Sequence, residues 1–270
     1  MTDFSCHIDG SRRDEARSSV SHGLIMTASL VPPQMAVARN DPADRLNDYI
    51  DALRFYLALP NVAIDRILFV DNTSSDLTSL IQLARDFPHD KRVEFLTFDG
   101  NKHPIQRGKA YGEFKLMDHG LAMSTLFQAD DIVWKTTGRL KFLNLPEMID
   151  RSRRVQFDLM CDLHNLPWVG SGSWTDRRNM DLRAFAFRRE AYDNVFRDQW
   201  RAHDSGFDAS FMYQLVLRHS SDLRLITRFP LQPRLQGISG RHQRDYRSKS
   251  QATKDAVRSV ARRLTPWLWL

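Results

Sequence analysis

Residues 66–76 have the sequence RILFVDNTSSD, in which an apolar run ends abruptly at polar residues. Strands that are buried on both faces of a parallel sheet have such continuous apolar runs, and turn-forming residues stop them. Segments 24–30 and 93–98 also have strand character, and apolar residues at helical spacing lie between the three segments. Strands that alternate with helices are typical of a parallel sheet with crossover helices. The sequence therefore predicts an α/β fold.

The same alternation continues on both sides of this stretch. A helix is predicted to open at Asp41-Pro42, with Asp41 as the N-cap and Pro42 in the first helical position. We expect a single domain with a mostly parallel central sheet flanked by helices. The remaining predicted elements are helices at 76–86, 108–127, 189–200 and 207–218 and strands at 131–135, 155–162, 182–187 and 223–228.

Length and composition narrow the class of protein. The chain has 270 residues, of which 42% are hydrophobic, so it can bury a sizeable core. No stretch approaches the roughly 18 consecutive apolar residues that span a bilayer, and residues 1–20 lack the apolar region of a signal peptide. Cys6 and Cys161 form neither a disulfide framework nor a metal-binding spacing. We expect a cytoplasmic protein.

The net charge of +6 is concentrated at the C-terminus. Residues 241–270 contain eight Lys or Arg and two Asp, which is also +6, so the preceding 240 residues are neutral. A neutral body argues against binding to nucleic acid. Residues 246–270 combine a basic stripe with an apolar one and end in Trp267 and Trp269, which is typical of an interfacial anchor on anionic lipid. The alternative is docking of this tail on the protein itself or on a partner.

The first candidate site is the polar run that begins with Asp71 and Asn72. In open α/β sheets, ligands bind outside the carboxyl ends of the strands, near the point where the strand order reverses. A carboxylate at such a strand end can accept hydrogen bonds from ribose hydroxyls or from a base N–H. The alternative is an ordinary Asx-turn and helix cap, which Asn72 and Ser75 would supply equally well.

Two further segments carry positive charge next to glycine. Residues 107–113, RGKAYGE, open a predicted helix, where the glycines, the helix N-terminus and Lys109 suit an anion. The spacing of a Walker A loop is absent. Residues 135–139, KTTGR, follow the predicted strand at 131–135, and Lys135 and Arg139 there suit a diphosphate leaving group. The alternative for the second segment is a turn with solvated cations.

The order of these features resembles that of the GT-A glycosyltransferases. Their nucleotide-binding half has a first short strand, an acidic and serine-rich loop after the second strand, and a helix that begins near a glycine and lysine element. That helix leads to a strand that carries the diphosphate site. The matching segments here are 24–30, 71–76, 108–110 and 130–139, and the resemblance extends loosely to about His242.

The resemblance implies a GT-A-like, Rossmann-like single domain with two functional halves. Its donor-binding residues would be Asp71, Asn72, Lys109, Lys135 and Arg139, joined by Arg241 and His242, since members often bring a C-terminal histidine back to the diphosphate. The implied division is a disordered tail over 1–20, a nucleotide-sugar-binding half over 21–150, an acceptor-binding half over 151–245 and a basic amphipathic tail over 246–270.

The chain departs from the family in one motif. GT-A enzymes usually hold a divalent cation with an Asp-any-Asp motif, and no such motif occurs in this sequence. Either other carboxylates bind the metal, of which Asp130 and Asp131 are the nearest, or protein cations replace it. We favour replacement by Lys135 and Arg139, and therefore expect no metal and no other cofactor.

The acceptor-binding half should supply a base. Inverting transfer needs a carboxylate that takes the proton from the attacking hydroxyl, and in inverting members it often lies near the start of a helix. Asp208 is the first choice, and Asp204 and Asp176 are the alternatives. Trp174 lies next to Asp176 in the sequence and is a candidate for stacking on the acceptor sugar. Capping or ion pairing is the competing explanation for each carboxylate.

The sequence thus predicts a glycosyltransferase. The expected donor is a nucleotide-sugar, and the expected acceptor is a saccharide or a lipid-linked saccharide at the inner face of the plasma membrane. The resemblance implies inversion and a place in cell-surface polysaccharide synthesis. Two alternatives stay open: a sugar-phosphate nucleotidyltransferase, which normally has a glycine-rich basic loop where this chain has Pro32-Pro33, and a non-enzymatic nucleic-acid-binding protein.

Overall fold

The computed structural model describes most of the chain beyond the first twenty residues. The described residues are 21–32, 37–165, 178–239, 245–246, 253, 256, 258–260 and 264, without the side chains of Ile105 and Lys109. No helix among these residues is both long enough and apolar enough to cross a membrane.

The fold is a seven-stranded sheet with helices on both faces. The strands follow one another across the sheet in the order β10-β6-β9-β4-β1-β2-β3, and two small two-stranded sheets, β5-β11 and β7-β8, lie beside it. The strands are β1 His22–Ala28, β2 Arg66–Asp71, β3 Arg92–Thr97, β4 Ile132–Thr137, β5 Lys141–Phe142, β6 Leu159–Met160, β7 Leu163–Asn165, β8 Arg178–Met180, β9 Ala184–Arg188, β10 Leu225–Ile226 and β11 Leu235–Gln236. Among the described residues up to 239, the α-helices are α1 Pro42–Leu57, α2 Thr78–Asp86, α3 Lys109–Met123, α4 Leu145–Ser152, α5 Arg189–Val195 and α6 Ala209–Arg218.

Alternating side chains of the central strands build two hydrophobic cores. Leu24 and Met26 of β1 face α1, α2 and α4, whereas Ile25 of the same strand faces α3, α5 and α6. Successive side chains of a strand point to opposite faces, so a strand that is covered on both sides must be apolar throughout. The predicted α/β fold with a mostly parallel central sheet flanked by helices is confirmed.

The strand order reverses between β1 and β4, and the edge of the sheet at Ala28 and Thr137, the last residues of these two strands, is called the crevice below. The chain runs from β1 outward to β2 and β3, and then crosses back to β4 on the other side of β1. These four strands are parallel, so their carboxyl ends share one edge of the sheet. β9 is antiparallel to β4 and β6 and therefore begins at that same edge. The edge between β1 and β4 is the point at which open α/β sheets bind ligands.

A buried carboxylate fastens the second half of the chain to α3. Asp118 accepts hydrogen bonds from the Tyr192 hydroxyl at 2.7 Å, from Trp200 Nε1 at 2.7 Å and from the Asp198 backbone N–H at 2.8 Å. Burial raises the pKa of Asp118, and these three donors oppose that shift. The connection holds the segment that leads to α6 against the helix that begins at the crevice.

Several predicted boundaries are wrong. The strand predicted over 155–162 is only β6, because Val155 is exposed and the Asp158 carboxylate pairs with Arg224 at 2.6 Å instead of joining the sheet pattern. The predicted cap at Asp41 is confirmed, since its carboxylate accepts from the Asp44 N–H at 2.9 Å. Lys135 does not follow a strand but lies within β4.

His22 makes stability depend on pH. It is buried, its Nδ1 accepts a hydrogen bond from Trp134 Nε1 at 3.1 Å, and burial, followed by Arg153, lowers its pKa to about 4 against a partial opposing effect of Asp65. The unfolded chain binds this proton near the ordinary histidine pKa of about 6.5. The stabilisation is therefore complete above about pH 6.5 and is lost as the pH falls towards 4.

We expect the His22 contribution to the free energy of unfolding to fall by about 2 kcal/mol between about pH 7.5 and about pH 5. Urea unfolding of the wild type and of His22→Asn at both pH values measures this contribution as the difference between the two proteins. If the two proteins lose the same stability over this interval, the titration of His22 is not responsible.

Candidate functional site

The loop after β2 is organised by the Asp71 carboxylate. Its Oδ1 accepts from the Leu30 N–H at 2.8 Å, and its Oδ2 accepts from the backbone N–H groups of Thr73 at 2.9 Å and Ser75 at 3.2 Å. The hydroxyls of Thr73 and Thr97 donate to it as well. Asp71 is completely buried. Asp71, rather than Asn72, is thus the acceptor of the Asx-turn. Both oxygens of its carboxylate already accept hydrogen bonds from the protein.

Asn72 joins the carboxyl ends of β1 and β2. Its backbone N–H donates to the Ala28 carbonyl at 3.1 Å, and its Oδ1 accepts from Ser29 Oγ at 2.5 Å. The Asn72 Nδ2 has no hydrogen-bond partner among the residues that the structure describes. Asn72 is therefore anchored by one end of its amide, and the other end can donate to a ligand.

Arg45 holds the chain where it leaves β1. Its guanidinium donates to the carbonyls of Ser29 at 2.7 Å and Arg39 at 2.9 Å and to the Tyr49 hydroxyl at 3.1 Å. Tyr49 accepts another hydrogen bond from the Ser29 N–H at 3.0 Å. These bonds bring a buried positive charge to the edge of the sheet beside the crevice.

Arg139 lies at the other side of the crevice, in the turn that follows β4. Its Nε is buried and has no hydrogen-bond partner, and the guanidinium makes no ion pair with any described residue. Burial lowers the pKa of Arg139 and Arg45 lowers it further, while Tyr49, Tyr246 and Asp48 oppose the shift. An arginine stays charged under such conditions, so this turn carries a cation that forms no ion pair with a described residue.

Gly138 allows this turn to approach β1 closely. Its N–H donates to the Thr27 carbonyl at 2.8 Å, and a Cβ on Gly138 would lie 2.8 Å from the same oxygen. A side chain at this position would therefore push the turn away from the sheet. Gly237 packs on the far side of the turn, where a Cβ would lie 2.9 Å from the Arg139 carbonyl oxygen. The C-terminal segment thus returns to Arg139.

Lys135 lies in the interior, on the face of β4 that α3 covers. Its side chain is 0% exposed, and its Nζ pairs with Glu113 Oε1 at 2.5 Å and donates to the Leu182 carbonyl. Thr27 Oγ1 also donates to Glu113 Oε1, at 2.6 Å. The Lys135 ammonium is therefore already neutralised within the chain.

Sequence reasoning missed Glu113 as a residue of the site. The available signal was a lysine at a core-facing position of a strand, because a buried ammonium requires a carboxylate partner. Glu113 lies in α3, the helix that covers this face of the sheet and that was predicted to open at the candidate site.

The N-terminus of α3 contacts the start of α6. Gly108 has a φ of 92°, and a Cβ there would collide with the Phe207 carbonyl. The Phe207 N–H donates to the Arg107 carbonyl at 2.9 Å, and the Arg107 guanidinium lies 3.4 Å from the Asp204 carboxylate. The side chain of Lys109 lies outside the described part of the structure, so its role in donor binding stays a prediction.

Asp208 is the N-cap of α6. Its Oδ1 accepts from the N–H groups of Ser210 at 2.9 Å and Phe211 at 3.0 Å, and the side chain is exposed. Asp204 does not cap this helix, and its side chain is 99% exposed. The structure thus brings Asp208 to the edge where α3 begins. Trp174, Asp176, Arg241 and His242 lie outside the described residues, and their roles stay predictions.

Asp130 and Asp131, the alternative metal ligands, lie at the amino end of β4. Asp131 pairs with Arg66 at 2.7 Å, and Asp130 is 91% exposed. The six residues of β4 span about 20 Å, so the strand separates both carboxylates from Arg139. Among the described residues, no group of three or more His, Cys, Asp or Glu side chains is arranged to hold a metal ion.

A second polar cluster lies near the start of β9. Arg183 precedes β9, and its guanidinium donates two hydrogen bonds to the Asp181 carboxylate, from Nε at 2.9 Å and from Nη2 at 2.5 Å. Burial alone would raise the pKa of Asp181, but Arg183 holds it well below the usual range. Asp162, His164 and Tyr246 are among the other residues that line a small cleft there. Sequence reasoning did not single out these residues, because three separate segments supply them.

No protein-family model and no curated protein matches the chain. Among solved structures, it is similar to residues 1–349 of S. aureus TarS, with 9% identity, a TM-score of 0.36 and coverage of 65% of this chain, and it spans about half (49%) of that structure. It is also similar to the inositol-1-phosphate CTP transferase of T. maritima, with 9% identity, a TM-score of 0.43 and coverage of 77% of this chain and 84% of the other. The third is mannose-6-phosphate isomerase of Helicobacter pylori, with 12% identity, a TM-score of 0.40 and coverage of 65% and 74%. Likenesses at these scores assign no activity to this chain.

Proposed function

We propose that this chain is a glycosyltransferase of the GT-A plan that moves a sugar from a nucleotide-sugar to a saccharide or lipid-linked acceptor. The observation that carries the proposal is the Arg139 guanidinium, which lies at the crevice between β1 and β4 and forms no ion pair within the described part of the chain. A partly buried cation without a counter-ion is costly unless an anion joins it, and a diphosphate is such an anion. A place in surface polysaccharide synthesis follows from the resemblance alone.

The arrangement of charge supports departure of a nucleoside diphosphate. When the bond between the sugar and the diphosphate breaks, the leaving oxygen gains negative charge, and fixed donors that stabilise this charge lower the barrier. Arg139 can make that contact, and the buried Arg45 adds a second positive charge nearby. Because Glu113 already neutralises Lys135, we assign the direct contact with the diphosphate to Arg139.

These cations also support catalysis without a divalent ion. In this proposal, Arg139 takes the place that a metal occupies in enzymes with an Asp-any-Asp motif, and donor binding needs no added metal.

Asp208 is proposed as the base that accepts the proton of the acceptor hydroxyl. Its Oδ1 is engaged in capping, so its Oδ2 is the oxygen that can accept the proton. The hydroxyl oxygen then attacks the anomeric carbon of the donor sugar as the bond to the diphosphate breaks, which inverts the configuration.

Replacement of Arg139 by alanine is expected to weaken nucleotide-sugar binding by about 1.5–3 kcal/mol, the range for hydrogen bonds to charged groups. A thermal-shift panel of UDP-, GDP-, dTDP- and CMP-sugars identifies the donor, because a ligand that binds only the folded state raises its stability. Calorimetric titration with that donor, in buffer that contains EDTA, then compares Arg139→Ala with the wild type.

Arg92→Ala is the matched control, since Arg92 is exposed at the amino end of β3, at the opposite edge of the sheet. Equal affinity in folded Arg139→Ala would remove the assignment of the diphosphate site. Binding that disappears in EDTA and returns with magnesium or manganese would show that a metal, rather than Arg139, meets the diphosphate.

A further inference from the structure

Glu113 presents an unused carboxylate oxygen at the crevice. Its Oε1 is held by Lys135 Nζ at 2.5 Å and by Thr27 Oγ1 at 2.6 Å, and Lys135 is in turn held by the Leu182 carbonyl. Its Oε2 has no hydrogen-bond partner among the described residues, and the side chain is 25% exposed. The carboxylate is thus fixed in place by one oxygen and open to solvent at the other.

This open oxygen contrasts with the carboxylate that the sequence pointed to. Both oxygens of Asp71 accept hydrogen bonds from the loop, and the residue is fully buried. Ala28, which follows the Thr27 partner of Glu113, pairs with Asp71 across the sheet, so both carboxylates lie at the same edge. Glu113 is therefore the carboxylate that a ligand in this crevice can reach without breaking the loop.

The residue before Glu113 packs closely against polar side chains. Gly112 has no side chain, and a Cβ there would lie 2.9 Å from His103 Cε1 and 3.9 Å from Asn72 Nδ2. The His103 Nδ1 is buried without a hydrogen-bond partner among the described residues. Gly112 thus lets α3 approach the His103 ring, with the Asn72 amide nitrogen nearby.

We propose that Glu113 Oε2 accepts a hydrogen bond from a hydroxyl group of the bound nucleotide-sugar and makes the site selective for that hydroxyl. The inference rests on the proposed function. Lys135 already neutralises Glu113, so the fitting partner is a neutral donor rather than a second cation. A site built to bond a hydroxyl strongly rejects a ligand that lacks it, because its own polar groups are left unpaired. The hydroxyl belongs either to the ribose or to the transferred sugar.

The test uses Glu113→Gln, which keeps an oxygen for Thr27 and Lys135 but replaces the open acceptor by an amide nitrogen that donates. Calorimetry measures the affinities of the wild type and the variant for UDP, GDP, UDP-glucose and GDP-mannose, and for the deoxyribose forms of the nucleoside diphosphates. We expect the hydroxyl-bearing probe to bind about 10- to 100-fold more weakly to the variant. Glu147→Gln on α4 is the control for the substitution itself.

The probes separate the two sources of the hydroxyl. A loss shared by the nucleoside diphosphate and its sugar conjugate, but not by the deoxyribose form, places the contact on the ribose. A loss confined to the conjugate places it on the transferred sugar. Equal affinities in the wild type and the variant overturn the inference, as does a loss for every probe, deoxyribose forms included, with a lowered melting temperature.

Failure of this inference can be told apart from failure of the proposed function. If Arg139→Ala weakens binding while Glu113→Gln does not, the donor site stands and the role of Glu113 is wrong. If no probe binds the wild type, the proposed function is wrong, and the inference fails with it.

Discussion

Replacement of Lys135 by methionine is expected to lower the free energy of unfolding by about 3 kcal/mol. Methionine keeps most of the buried stem but removes the ammonium that holds Glu113 and the Leu182 carbonyl. Removing one member of a buried ion pair typically costs about 3–5 kcal/mol, because the remaining charge is left uncompensated. The Glu113 side chain is 25% exposed, so water can partly solvate its charge when Lys135 is absent. The expected loss of stability is therefore at the lower end of that range.

Urea unfolding of Lys135→Met, Glu113→Leu and the double variant measures this loss as a double-mutant cycle. The double variant should recover most of the stability, since replacement of a buried ion pair by apolar residues is often neutral. If Lys135→Met is as stable as the wild type and loses only nucleotide-sugar affinity, Lys135 contacts the diphosphate directly, as its sequence position suggested.

Replacement of Asp208 by asparagine is expected to lower turnover by about 10²- to 10⁴-fold with donor affinity retained. Asparagine is as good an N-cap as aspartate, so the hydrogen bonds to Ser210 and Phe211 survive. The amide cannot accept a proton, and the variant therefore separates catalysis from capping. Initial rates of sugar transfer, measured with the donor identified by thermal shift, provide the readout.

Asp208→Ala supplies the complementary control, because it removes both the base and the cap. It should lose about 1 kcal/mol of stability in addition to turnover. Asp204→Asn should have nearly the stability and turnover of the wild type. The Asp204 carboxylate is exposed, and its ion pair with Arg107, at 3.4 Å, is a surface contact. Near-normal turnover in Asp208→Asn would move the base to Asp176 or Asp204.

The first half of the fold was predictable because its signals are local. β1 and β2 contain continuous apolar runs that end at polar residues, and Asp41 and Pro42 mark the start of α1 within a few residues of sequence. The parallel order then follows from the alternation of strands and helices. The position of the candidate site at the carboxyl ends of these strands was predictable for the same reason.

The remaining features depend on contacts between distant residues. β6 has only two residues, too few for a recognisable pattern, and it exists because β9 and β10 pair with it. The partner of Lys135 is Glu113 on a different element, and nothing in the spacing of either residue indicates the pair. Asp71 has the sequence context of a ligand-binding carboxylate, but folding directs the backbone N–H groups of its own loop to it.

The position of β9 between β4 and β6 also bears on how the polypeptide emerges from the ribosome. Until residues 184–188 are synthesised, one edge of β4 has no strand beside it, although its other edge can already pair with β1. An apolar strand with a bare edge is a template for pairing with other chains, so the nascent protein passes through an interval in which aggregation competes with folding. Synthesis of β9 ends that interval. A chain that terminated before β9 would keep an unpaired edge on β4 that could pair with other chains.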